Sequence, residues 1–253
     1  MTGEAISLLA SILSTLSRAG LNVVDRKQFR SERVCPLVIG YWNNLLPIFL
    51  VLPLVFIAPK NIYVLRDIFS FEIIFFSILI QCVAYSFSFS FKALRVADIG
   101  ILAKVADITV PLVIAALGLY LTSFSFALIL PVLLLMFIFS AGLDVVKKVY
   151  KSSIVLVLAL TAQGVYSYFW GFDLYLNRDF WGLISIAFSI LVWRFVFSGV
   201  LLLYRNRISY IYFYPKEFLS KSGFYLRGFL TILTQLTFIQ AITTNNLIIV
   251  WPI

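Results

Sequence analysis

Lys104 and Asp107 stand three residues apart in the stretch "ADIGILAKVADITVPL", inside an otherwise apolar run. On a helix that spacing puts both on one face, near enough to pair. At 1.5 Å per residue they lie about 9 and 13 Å beyond Asp98, where the helix is expected to begin. Asp107 therefore falls near the middle of a bilayer core of roughly 30 Å. An ionisable group at that depth costs about 2.5–3.5 kcal/mol on insertion scales, so it needs a reason. Pro111, four residues on, denies the Asp107 carbonyl its helical partner and should bend the helix. A charged pair beside a freed carbonyl resembles the broken-helix sites of transporters. The alternative is a structural salt bridge between helices, and the residues alone leave both open.

Other polar groups fall inside apolar runs. Arg18 projects from the first of them and is a candidate either for lining a pathway or for structural pairing. "TAQGVYSYFWG" contributes Gln163 and Tyr166, types that suit a wet cavity, and Trp170, which suits the interfacial belt. Arg194 in "LVWRFVF" reads as scaffold, paired with a carboxylate or with helix carbonyls. Glu72 and Arg227 lie within a turn or two of expected helix ends, where snorkelling suffices. Asp98 reads as a helix cap. The serines of "SFSFSF" (86–91) read as backbone-bonded packing positions. The chain has no His, which removes the commonest general base and metal ligand. No cofactor, metal or catalytic constellation is expected, and the chain does not read as an enzyme. Cys35 and Cys82 fit no disulfide or metal spacing and read as apolar filler.

The elements that must position these residues are membrane helices. Of 253 residues only 12% are charged, and mean hydropathy is +1.03. Soluble domains run near 25% charged, so this chain cannot build a polar surface. Windows of about 19 residues place spans at 5–24, 36–58, 71–91, 98–121, 124–142, 153–171, 181–204 and 223–242, with a partial ninth from Leu247. "MTGEAISLLASILSTLSRAGL" lacks a basic leader region and reads as a retained helix. "LIIVWPI" is too short to cross, so the chain reads as truncated within its ninth helix.

Sliding the sequence by 148 positions superimposes Ile6, Leu8, Asp25 and Arg30 on Ile154, Leu156, Asp173 and Arg178. Expected helix positions coincide at the same offset, and Pro252 falls opposite Lys104 as a second helix break. The chain thus divides into a five-helix unit over 1–146 and an incomplete second unit over 147–253. An odd number of helices per unit makes the repeat inverted. The loops after the odd-numbered helices hold Arg26, Lys27, Arg30, Arg33, Lys92, Arg95, Lys147, Lys148, Lys151, Arg205, Arg207, Lys216 and Lys221, against Lys60, Arg66 and Arg178 on the other side. That bias puts the N-terminus outside. It also accounts for most of the net +9, which therefore implies no nucleic-acid partner.

The five-plus-five repeat, the short "TS" connection after Leu121, "YSFSFSFKALRVADIGILAKVADITVPL" and "NNLIIVWPI" resemble the drug/metabolite transporter superfamily, in particular its EamA-like ten-helix members. The resemblance implies an all-α polytopic fold in a bacterial cytoplasmic membrane, with both termini inside, opposite to the charge count. It implies a secondary transporter or exporter that moves a small polar metabolite, anionic if Lys104 receives it, by alternating access through a central cavity. The pathway candidates are Lys104, Asp107, Arg18, Gln163 and Tyr166, with Pro111 and Pro252 as helix breaks. A flippase for a lipid-linked sugar and a non-transporting membrane subunit are the alternatives.

Overall fold

The computed structural model describes residues 3–31, 35–57, 62–93, 99, 109–110, 113, 151–167, 180–205 and 222–242. Lys104, Asp107, Pro111 and Pro252 lie outside the described residues, as do Asp98 and Trp170. Seven helices are described, here α1 (Gly3–Ser31), α2 (Pro36–Ile57), α3 (Ile62–Ile68), α4 (Phe71–Ala93), α5 (Lys151–Tyr166), α6 (Phe180–Tyr204) and α7 (Ser222–Ile242). Every described element is helical. Three of them, α2, α4 and α6, are long and apolar enough to cross a membrane. The chain is a helical, membrane-embedded protein.

The expected spans at 36–58, 71–91, 181–204 and 223–242 coincide with α2, α4, α6 and α7 to within two residues. Helix α1 runs on to Ser31, past the expected end at 24, and so takes in Arg26, Lys27 and Arg30; two further features differ from expectation. The stretch read as a plain connection after the second span contains α3, held against α6: the Ser185 hydroxyl donates to buried Asp67 at 2.7 Å, and Trp193 Nε1 donates to the Ile68 carbonyl at 2.6 Å. That indole satisfies one of the carbonyls a helix C-terminus leaves unpaired. The second difference is that α1 and α7 reach crossing length but not the apolarity of the other three. Their polar residues face each other, so neither helix has to present them to lipid.

The α1–α7 contact is built from small and polar groups. Ser11, Ser14 and Ser17 form a buried stripe on α1. Thr234 donates to the Ser17 hydroxyl at 2.8 Å, and a methyl on Gly20 would touch Leu230 at 3.3 Å. Small side chains let membrane helices approach, and hydroxyls then bridge them. Ser14 meets Thr234, Gly20 meets Leu230 and Asp25 meets Arg227, so the two helices are antiparallel. By the same reading of contact order, α2 is antiparallel to α6 (Tyr41 to Phe195, Val55 near Phe188) and to α4 (Gly40 to Tyr85, Asn44 to Gln81). Helix α4 is antiparallel to α5, through Phe76 on Tyr166 and Val83 near Leu160. Helix α7 follows α2, through Asn43 to Arg227 and Leu50 to Gly228. Helices α1, α4 and α6 therefore run one way, and α2, α5 and α7 the other.

The ends and serines of α4 follow from local chemistry. Ser70 caps its N-terminus, accepting from the Ile73 amide at 3.4 Å, and donates to Glu72 at 2.5 Å. Ser86 and Ser88 donate back to the carbonyls of Cys82 and Ala84, at 2.7 and 2.8 Å, as expected of hydroxyls in an apolar helix. Apolar packing joins Ile73, Phe76, Leu183, Ile186, Ala187, Ile190 and Ile239 into a core shared by α4, α6 and α7.

Two glycines are required by close approach. A Cβ on Gly40 would sit 2.5 Å from a Tyr85 ring carbon, and one on Gly228 would sit 2.6 Å from Leu46 Cδ2. At Gly199 the nearest neighbour is 3.6 Å away, an ordinary contact. Overpacking costs about 1–3 kcal/mol. Gly40→Ala should therefore lower the thermal unfolding midpoint of the detergent-purified protein well below that of Gly199→Ala; equal midpoints would contradict the close packing of α2 on α4.

Candidate functional site

A cavity of about 120 Å³ lies where α1, α4, α5, α6 and α7 converge. A single water needs roughly 10–15 Å³ on such a measure, so the space suits several waters or a small solute. Its walls are chemically unlike. Helix α4 contributes Phe76, Ile80, Val83, Ala84 and Phe87, an apolar face at helical spacing. Helices α1 and α7 bring most of the polar groups, Arg18, Asn22 and Asp25 from α1 with Arg227, Thr231, Thr234 and Gln235 from α7, beside apolar Leu21, Phe238 and Ile239. Gln163 of α5 and Arg194 of α6 complete the polar set.

The strongest interaction joins the two polar helices. Arg227 Nε donates to Asp25 Oδ1, and Nη2 donates to Oδ2 at 3.1 Å, a bidentate pair. The side chains are only 8% and 14% exposed. A fork matching both carboxylate oxygens is the geometry in which Arg recognises a carboxylate best. The third contact of Arg227 has a sequence cause. Pro47 has no amide hydrogen, so the carbonyl four residues earlier, Asn43, loses its helical donor. Arg227 Nη1 donates to that carbonyl at 3.4 Å. One guanidinium thus ties α1, α2 and α7 together. The reading of Arg227 as a snorkelling end residue is corrected: it is buried, with Asp25 as its counter-ion inside the helices.

Arg194 is held differently. Its Nε donates to Gln81 Oε1 at 3.1 Å, and Asn44 Nδ2 donates to the same oxygen at 3.0 Å. Asn44 also donates to the Ser198 hydroxyl at 2.8 Å and to the Arg194 carbonyl at 3.3 Å. Neutral amides and a hydroxyl therefore lock α2, α4 and α6 around a buried cation. Expected as scaffold, Arg194 anchors this network and also lines the cavity.

Among the expected pathway residues, Arg18 and Gln163 line the cavity. Tyr166 does not. Its ring stacks on Phe76 with centroids 5.7 Å apart, and its hydroxyl donates to the Glu72 carbonyl at 2.9 Å, so it fastens α5 to the start of α4. Lys104, Asp107, Pro111 and Pro252 lie outside the described residues. Asp25, Arg227, Thr231 and Gln235 were missing from the sequence-based set. Their signal was phase: 227, 231 and 235 recur every four residues, one face of a helix.

Comparison of the chain with protein-family models, curated proteins and solved structures finds no match. Removing one partner of a buried ion pair typically costs about 3–5 kcal/mol, whereas apolar replacement of both is often near neutral. Asp25→Asn and Arg227→Met should each strongly lower the unfolding midpoint. Asp25→Leu combined with Arg227→Met should lower it less than either. A double variant at least as unstable as the sum of the singles would contradict the pairing.

Proposed function

We propose that this chain is a multi-pass secondary transporter of the five-plus-five, inverted-repeat kind, moving a small polar metabolite across a bacterial cytoplasmic membrane by alternating access through the cavity. The observation that carries the proposal is the cavity itself: three guanidinium groups, one carboxylate and three carboxamides around an open space within a set of membrane helices. Ionisable groups inside a membrane protein are costly and are retained where they line a pathway or pair with one another. Here they do both.

The helix arrangement supports the repeat. Adding 148 to the first residues of α1, α2 and α4 gives 151, 184 and 219, beside observed starts at 151, 180 and 222 for α5, α6 and α7. Packing partners exchange under the same shift: α1 on α7 corresponds to α5 on α4, and α2 on α7 to α6 on α4. Helices α2 and α6, equivalent to each other, pack together. Each equivalent pair runs in opposite directions, which is what inversion of one unit relative to the other requires. Positions 83 and 231, and 87 and 235, are equivalent, and all four line the cavity. They differ in chemistry, apolar on α4 and polar on α7, which gives a solute one surface for its carbon skeleton and another for its polar groups.

The test is uptake from a mixture of small metabolites into proteoliposomes, with the contents identified by mass spectrometry. Val83→Trp places an indole in the cavity and should reduce accumulation of the transported solute at least about tenfold, a change of roughly 1.4 kcal/mol in the barrier. Phe89→Trp, on an exposed part of α4, should leave it unchanged. No enrichment over protein-free liposomes, or enrichment indifferent to Val83→Trp, would overturn the proposal.

A further inference from the structure

We propose that the cavity binds a small hydroxylated organic oxyanion, its charged end on Arg194 and its hydroxyl between Gln163 and Gln235. The proposal deepens the reading of the cavity as a substrate site and rests on it.

The charges come first. Among the described lining residues, Arg18, Arg194 and Arg227 face a single carboxylate, Asp25, and Arg227 already holds it in a fork. Arg194 is 6% exposed. Its hydrogen-bond partner is the neutral Gln81 amide, and among the described residues no carboxylate lies within ion-pair distance of it and no group bonds its terminal nitrogens. A guanidinium does not escape burial by losing its proton. A buried cation held only by neutral groups leaves a large desolvation cost uncompensated. An oxyanion entering the cavity supplies the counter-ion, and the two terminal nitrogens offer it a planar pair of donors. Cations are repelled by the same groups, and a neutral solute leaves Arg194 uncompensated.

The second observation is independent of charge. Among the described residues, Gln163 Oε1 and Gln235 Nε2 are buried and find no hydrogen-bond partner, in side chains 3% and 8% exposed, and both residues line this cavity. Buried polar atoms without partners are rare and call for an explanation. One is an acceptor and the other a donor. A hydroxyl both donates and accepts, so a ligand hydroxyl reaching between the two side chains would satisfy both. The apolar face of Phe76, Val83 and Phe87 then takes the carbon skeleton. A carboxylate and a phosphate both meet the Arg194 requirement.

The test is thermal unfolding of the purified full chain, titrated at constant ionic strength with succinate, malate, inorganic phosphate or glycerol. Wild-type protein should be stabilised in a dose-dependent way by malate, by phosphate or by both, and not by glycerol at equal concentration; which of them acts identifies a carboxylate or a phosphate as the oxyanion. Malate, which is succinate plus one hydroxyl, should bind about three- to tenfold more tightly than succinate wherever carboxylates bind, the worth of a typical net hydrogen bond. Arg194→Gln should weaken the anion response by about tenfold or more. Gln163→Leu keeps Arg194 intact, so it should erase the preference for malate while succinate still binds, or weaken no response to phosphate alone. Stabilisation by glycerol equal to that by anions, or an anion response that survives Arg194→Gln, overturns the proposal. Flux of a neutral or cationic solute that Val83→Trp blocks, with no anion response, overturns it while the transport reading stands. An Arg194-dependent anion response without flux of any solute upholds the anion site and removes the transport reading.

Discussion

The burial of charge among apolar helices is the constraint that the rest of this structure answers. Desolvating an ion costs several kcal/mol unless a counter-ion and further hydrogen bonds replace the water. Arg227 receives both, from Asp25 of α1 and from a carbonyl of α2 that Pro47 has deprived of its helical donor. The ion pair can form only if α1, α2 and α7 meet at one level. A proline that would be a defect in an isolated helix thereby becomes half of a tertiary contact.

The remaining architecture follows from where the polar groups have to go. Helices α1 and α7 carry too many hydroxyls, amides and charges to face lipid, so they turn those residues toward each other and toward the cavity. Helices α2, α4 and α6, apolar enough to meet lipid, bury Asn44, Gln81 and Ser198 in a cluster around Arg194. Close approach of these helices depends on missing side chains as much as on present ones: Gly40 admits the Tyr85 ring and Gly228 admits Leu46. The cavity is the space left where the apolar face of α4 meets the polar groups of α1 and α7.

Much of this was legible in the sequence because the bilayer imposes one length and one composition on each crossing. The bounds of α2, α4, α6 and α7 agree with hydropathy windows to within two residues. The serines of α4 behaved as short hydroxyls in an apolar helix must. What escaped was phase and partnership. Depth along a helix, used to dismiss Arg227, ignores which way the side chain points and whether a carboxylate waits more than two hundred residues away in sequence. Tyr166 was legible as a polar aromatic but not as one whose hydroxyl the Glu72 carbonyl would claim. Helix α3 escaped because seven residues with Arg66 and Asp67 carry no crossing signal. Its order comes from Ser185 and Trp193 of α6, which no local pattern announces.

Transport through the cavity requires a space open to water beside the arginines, inside the set of membrane helices. Thiol accessibility tests it most directly. In a chain with Cys35 and Cys82 replaced, Ala84→Cys places a thiol on the cavity wall, and Ala187→Cys, at a position 2% exposed in the apolar core, serves as the control. Membrane-impermeant methanethiosulfonates should modify the cysteine at 84 and spare the one at 187, and, relative to their rates with a free thiol, the anionic sulfonatoethyl reagent should be favoured over the cationic trimethylammonium one. An unreactive thiol at 84, or a preference for the cation beyond that of a free thiol, would rule it out.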